Sequence, residues 1–400
     1  MQTLDQLTKE AVALANPDNK HHIPIQDAPT SNSVLEVSRQ MTICNGCRYC
    51  EGFCAVFPAM TRRLEFGASD VHYLANLCHN CGACLHACQY APPHEFQINV
   101  PRAMAKVRLE TYTAYAWPSS FGTLYKNNGL WIAITLAFGL TLFLQMTANF
   151  LSGANALTLD LSNFYSIYPH NTLVSLFLPI FGFVVFSLFM GVRHFLRDIK
   201  NATSKEAPNV PSLTEATSNA LSLKYLDGGH GDGCNNEDDA FTKLRKYFHH
   251  LTFYGFMLCF SATSIATIYH YVFGWEAPYA WVSLPKILGV LGGLSLAVGC
   301  IGLFYLNLRR HPLHGDPEQK SMDIGFIFLL FMTSITGLLL ALSHQSTSMP
   351  LLLSMHLGVV MALFLTLPYG KFAHGIFRLA ALIRFQTERR LPSNIGLSGE

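Results

Sequence analysis

Eight of the eleven cysteines fall in two runs, Cys44-x2-Cys47-x2-Cys50-x3-Cys54 and Cys78-x2-Cys81-x2-Cys84-x3-Cys88, offset from one another by 34 residues. The same offset carries Pro58 onto Pro92. Three cysteines at two-residue intervals can set thiolates at three corners of one iron–sulfur cubane, and in two-cluster ferredoxins the fourth cysteine ligates the other cluster. On that rule a first 4Fe-4S cluster takes Cys44, Cys47, Cys50 and Cys88, and a second takes Cys78, Cys81, Cys84 and Cys54. The exchange of fourth ligands holds the two clusters close together. Structural zinc needs two pairs for one site rather than two runs of four, and disulfides are disfavoured in a reducing compartment. The expected chemistry is electron transfer.

Histidines form the second candidate set. An ionisable group in a membrane is costly and marks function, and His249, His250, His270, His356 and His374 lie in or beside long apolar runs. At 1.5 Å per residue, His249 to His270 covers about 31 Å and His356 to His374 about 27 Å. One histidine of each segment then meets a counterpart near each membrane surface, the arrangement that stacks two b-type haems across a bilayer. At about 100° per residue, His374 returns to the face of His356, and His270 lies about 60° from His249 but about 160° from His250, which favours His249. The competing reading is interfacial histidines bonded to their neighbours. No Cys-x-x-Cys-His sequence occurs, so c-type haem attachment is not expected.

Such residues need a membrane scaffold. Half of the 400 residues are hydrophobic, only 13% are charged, and mean hydropathy is +0.26, too apolar for a purely soluble chain of this size. Six runs are about long enough to cross a hydrocarbon core: Leu130 to Met146, Thr172 to Val192, Leu251 to Phe273, Ile287 to Leu306, Ile324 to Leu342 and Pro350 to Pro368. Ten Lys/Arg precede the first run, eight separate the second from the third, three the fourth from the fifth, and five follow the last, leaving only Lys286 for the other side. The positive-inside rule then places both termini and the cysteine runs in the cytoplasm, in a bacterial inner membrane. The start Met1-Gln2-Thr3-Leu4-Asp5 carries no expected signal peptide. Net charge is +2 with no dense Lys/Arg run, which argues against nucleic acid.

The expected organisation is therefore a cytoplasmic cluster domain at 1–126, spans one and two at 127–200, a cytoplasmic loop at 201–246, spans three to six at 247–384 and a cytoplasmic tail at 385–400. Within the loop, Tyr225 to Cys234 reads as an ordered glycine-rich turn without the context of a nucleotide fingerprint. Cys234 is either an unligated loop thiol or a group that approaches a cluster or docks a partner. Cys259 and Cys300 read as small residues inside spans. His194, His311 and His314 read as solvated interfacial groups, and His170 and His344 as outer-side residues open to a quinone pocket. His72, His79, His86 and His94 surround the cysteine runs and could tune cluster sulfurs.

The ordered set of both cysteine runs, Ala91-Pro92-Pro93-His94-Glu95-Phe96, the loop ending in Cys234, Tyr247-Phe248-His249-His250 and the sixth-span histidines resembles the TcuB/CitB family, tricarballylate or citrate utilization protein B. Met355-His356-Leu357 through Lys371-Phe372-Ala373-His374 is similar to the last, haem-bearing helix of the nitrate reductase gamma subunit family. Ala55 and Gln89 stand where bacterial ferredoxins place proline, and the chain resembles instead the mostly helical ferredoxin domain of quinone-linked reductases. The resemblance implies an all-α protein, a helical ferredoxin-like domain followed by a six-helix membrane bundle. It also implies a role: reoxidising the flavin of an FAD-dependent tricarballylate- or citrate-type dehydrogenase and passing electrons to the membrane quinone pool. No substrate-oxidising site is expected on this chain. The alternatives are an electron-transfer subunit of a heterodisulfide- or sulfite-reductase-like complex and a membrane iron–sulfur redox sensor.

Overall fold

A computed structural model describes residues 31–152, 163–202, 206–343 and 346–392; His344 lies outside them. The fold is all-α apart from a two-residue hairpin, β1 Cys234–Asn235 antiparallel to β2 Phe241–Thr242. The N-terminal helices are α1 Asn32–Cys47, α2 Val56–Met60, α3 Ala68–Leu77, α4 Ala83–His86 and α5 Val100–Tyr115. Ser31 caps α1 by accepting from the Val34 N–H, and Asn99 caps α5 by accepting from the Arg102 N–H, side-chain oxygens meeting donors that a helix start leaves free.

Among the described residues, six helices are long and apolar enough to cross a membrane. They belong to α6 Ser119–Ser152, α7 His170–Asp198, α9 Leu244–Phe273, α10 Leu284–Leu308, α11 Lys320–Leu342 and α12 Met349–Thr366. The first is kinked at Asn128, so an interfacial segment leads into the span proper. Phe138, Phe143, Phe189, Leu294 and Ile301 project outward, where water would penalise them and lipid does not. Helices α9 and α10 approach at backbone contact. A Cβ on Gly255 would lie 2.6 Å from the Leu296 nitrogen, and one on Gly299 would lie 2.5 Å from the Thr252 nitrogen, the small-residue packing usual between membrane helices.

Two further helices lie on the charged side. α8 Val210–Leu221 sits between spans two and three, and α13 Ala373–Arg389 follows the last span. The sequence reading runs one helix from His356 to His374. The chain instead ends α12 at Thr366, turns through Pro368 and restarts at Ala373, because proline supplies no N–H to continue the ladder. α13 spans the expected boundary at 384 and is not a loose tail. Its Phe377, Ala381, Leu382 and Phe385 enter one core with Met41, Phe57, Leu74 and Met104 of the N-terminal helices. Arg63 pairs with Glu388 of α13 at 3.1 Å, both side chains buried. His72 bonds Asp198 at the end of α7 at 2.5 Å. The cluster domain is thus built from both ends of the chain and held against the membrane bundle.

Candidate functional site

The cysteine runs are wound by left-handed residues. α1 carries Cys44 and Cys47 one turn apart and ends at Arg48 (φ +56), which reverses the chain toward Cys50. In the second run Asn80 (φ +57) and Gly82 (φ +83) do the same between Cys78, Cys81 and Cys84. The thiols fall into two groups. Burial pushes Cys44 and Cys50 up to about 12, and repulsion from Cys88 and Cys47 adds to it. Burial also raises Cys54 and Cys84; Cys81 is the next cause at both, followed by Cys78 at Cys54 and by Cys54 and then Cys78 at Cys84. Cys54, Cys78, Cys81 and Cys84 line a single enclosed cavity with Phe57, Val100 and Pro101. Cys50 adds a smaller repulsion at Cys84, so the two groups adjoin. Among the described residues no three Cys, His, Asp or Glu side chains converge on a point fit for one metal ion. The thiolates of a cubane sit at separated corners.

The surroundings of the second group are cationic. Arg108 donates to the carbonyls of Ala75 (2.9 Å) and Cys78 (3.1 Å), and Arg378 to that of Cys78 (2.7 Å). Arg245 and Arg310 donate to the Asn80 carbonyl at 2.9 and 3.3 Å. None of the four forms an ion pair among the described residues. The Nε atoms of Arg310 and Arg378 are buried without a partner. Burial lowers Arg310 to about 9 and Arg378 to about 10. Charge collected in this way is costly unless an anion balances it; a thiolate-ligated cubane is such an anion, and the residues fit it.

Four residues before Arg378 on α13, His374 turns to the membrane side. Its ring meets that of His249 of α9 with centres 6.0 Å apart and planes at 77°. Metal–imidazole bonds are about 2 Å long, so two imidazoles holding one iron would have centres about 6 Å apart, a spacing this pair would suit. His374 Nδ1 is engaged by the Lys371 carbonyl, which leaves Nε2 for a metal in the usual tautomer. His249 Nδ1 is buried and unpartnered. His250 points away, beside Tyr254 and the end of α8. His79 lies within electrostatic reach of both Arg378 and His249, next in sequence to Cys78.

The histidines at the other end of the spans are arranged differently. His270 stacks on His170 at 3.8 Å beside Tyr165, and His170 Nε2 bonds Tyr271 at 3.0 Å. His356 Nδ1 bonds Thr336 at 3.0 Å, and a Cβ at Gly337 would lie 3.0 Å from its ring. Among the described residues no ring contact joins His270 to His356. His314 is not solvated: it is 4% exposed, and its Nε2 lies 2.7 Å from Nε2 of His86, which also bonds Asp239. Backbone packing at Gly82 encloses it. His94 packs with Tyr90 and Phe96, and His194 and His311 are half-buried. Cys300 is buried, Cys259 only partly.

Sequence reasoning left Cys234 open, and the fold places it. The glycine-rich loop is ordered, with positive φ at Gly228, Gly229, Gly231 and Gly233. Cys234 is buried against Cys81, Ala83 and Leu226. Hydrogen bonding to Cys234 lowers the Cys81 thiol to about 7, while Cys234 itself is raised. The residues 127–394 match the family described as citrate utilization protein B, and residues 37–114 match the Fer4-like domain of citrate utilization protein B. This chain belongs to the citrate utilization protein B family. A family member from Escherichia coli, named citrate utilization protein B, is 54% identical over 400 residues, covering all of both chains. No solved structure matches. Family membership and the Fer4-like domain make the chain an iron–sulfur protein of citrate utilization type with a membrane-capable helical bundle, as the cysteine and hydropathy patterns lead one to expect.

Proposed function

We propose that the chain is a membrane electron-transfer protein that reoxidises the reduced flavin of a tricarballylate- or citrate-type dehydrogenase and delivers the electrons to quinone. Its residues would hold a 4Fe-4S cluster with Cys44, Cys47, Cys50 and Cys88, a second with Cys78, Cys81, Cys84 and Cys54, and haem b with His249 and His374. His270 and His356 would hold a second haem b at the other end of the spans, although in this structure each ring has separate partners. The bound groups supply one-electron redox chemistry that no side chain here provides.

The observation that carries the reading is α13. One face touches the Cys78 carbonyl through Arg378, and four residues earlier His374 faces His249 on a span. A helix that joins the cysteine domain to a membrane histidine pair is what a conductor needs and a membrane redox sensor, which only regulates, does not. The name of the Escherichia coli relative supports a tricarboxylate partner. The charge distribution supports a cytoplasmic cluster domain and termini.

Membrane vesicles containing the chain, mixed with a candidate FAD dehydrogenase and its tricarboxylate, should reduce quinone, and Cys78→Ala vesicles should not. Equal reduction by both would remove the proposal.

A further inference from the structure

The two histidines that face one another each have an arginine one helical turn away. Arg245 precedes His249 by four residues on α9, and Arg378 follows His374 by four residues on α13. Four residues are about 6 Å of helix and bring a side chain back to the same face. Both steps lead toward the second cysteine run: Arg245 donates to the Asn80 carbonyl at 2.9 Å, and Arg378 to the Cys78 carbonyl at 2.7 Å. Each helix thus sets a cation between the histidine pair and the cysteines.

These bonds leave donors over. A guanidinium offers five N–H groups in a fixed fork. Arg378 directs one to Cys78, and its Nε is buried without an acceptor. Arg245 directs one to Asn80 and one to the Asn236 side chain at 2.7 Å. Neither meets a carboxylate among the described residues. An enclosed cation with an unused donor is costly until an anion supplies the acceptor. The fork matches a carboxylate through two parallel bonds; a cubane balances charge but presents no such planar acceptor. Haem b carries carboxylates of its own, the propionates, at one edge of its macrocycle. We propose that Arg245 and Arg378 bind the propionates of the haem held by His249 and His374, so that each arginine joins the haem edge to a carbonyl of the second cysteine run. They are haem-binding residues and not iron ligands. The inference rests on the assignment of haem to this histidine pair.

The experiment uses full-length protein purified in detergent, with three readouts: haem content, the propionate bands of the resonance Raman spectrum, and the rate of haem loss to a scavenging apomyoglobin. His374→Ala tests the underlying assignment and should lose haem. A wild-type protein without haem, or as much haem in His374→Ala, removes that assignment and this inference with it. Arg245→Gln and Arg378→Gln should keep the spectrum of a haem with two histidine ligands, shift the propionate bands, and lose haem about 10–100-fold faster. Arg378→Lys, which keeps the charge but not the fork, should fall between wild type and glutamine. Unmoved propionate bands in a glutamine variant overturn the role of that arginine while leaving the histidine assignment in place. Faster haem loss with unmoved bands overturns it too, since it marks a charge acting at a distance. Should Arg378→Gln fail to fold, wild-type bands in Arg378→Lys overturn its role, and shifted bands support it.

Discussion

His249 of the third span faces His374 of the helix that follows the sixth, ring centres 6.0 Å apart and planes nearly perpendicular. The neighbouring His250 turns toward Tyr254 instead. Replacing either member of the facing pair should therefore abolish haem at the cytoplasmic side, a loss beyond the roughly 10–100-fold that removal of an outer-shell partner costs. His250→Ala should leave it intact. Reduced-minus-oxidised spectra of the purified variants check this, and equal haem in His250→Ala and His374→Ala would discount the pair.

The Arg63–Glu388 ion pair joins sequence neighbours of the first cysteine run to the end of α13, with both side chains almost fully enclosed. Arg63 also pairs with Asp70 at 2.6 Å, so removing Glu388 leaves the guanidinium one carboxylate. Glu388→Ala should destabilise the cluster domain by about 1–3 kcal/mol, whereas Arg63→Met, which takes the shared cation from both carboxylates, should cost more, about 3–5 kcal/mol. The readout is the temperature at which the cluster absorbance bleaches.

Alkaline pH should unfold the cluster-free protein more readily than the loaded one. The Cys44 and Cys50 thiols move from an ordinary 9.0 up to about 12 in the fold, chiefly through burial. A raised folded-state value means the folded form binds more protons between those limits, so stability is complete below about pH 9 and declines as pH rises through 12. Iron-bound thiolates have already lost their protons and escape this term. Far-UV circular dichroism from pH 8 to 12, with and without clusters, decides it; parallel curves contradict it.

Arg378 should raise the potentials of the centres on both sides of it. It bonds the Cys78 carbonyl and sits one turn from His374. Arg378→Gln removes a positive charge that favours the added electron, and both potentials should drop, on the order of 60 mV each for a tenfold effect. A change in only one of them would place the guanidinium with that centre alone.

Gly229→Ala should be poorly tolerated. The position combines positive φ with contact to the Phe53 carbonyl, so a methyl group meets both backbone strain and a direct clash. One cluster should be lost on purification while the spectra of the other survive; full iron retention would show that the loop does not press on that site.

How much of this was legible in the sequence varies by kind of signal. The spans were readable because hydrocarbon thickness imposes a length of apolar run; every observed helix begins before its expected run, the first at Ser119, and the sixth ends short of its own at Thr366. Helical phase within α9 favoured His249 over His250 as a haem ligand, and the ring of His249 is the one that lies against His374. The phase argument from His356 to His374 rested on one continuous helix, and Pro368 breaks it. α13 escaped notice because the five Lys and Arg after Pro368 were read only for orientation, although Phe377, Leu382 and Phe385 enter the buried core. His314 and Cys234 found their partners at His86 and Cys81 across more than 150 residues of chain, a distance over which no local pattern speaks.

The core shared by Met41, Leu74 and Leu382 also bears on biogenesis. The cysteine runs leave the ribosome first, yet the helix that completes their domain leaves among the last, after every span has entered the membrane. Until then the domain stays open to the machinery that delivers iron and sulfide. A chain truncated before α13 should accordingly reach the membrane and remain a good acceptor of clusters while being unable to retain them.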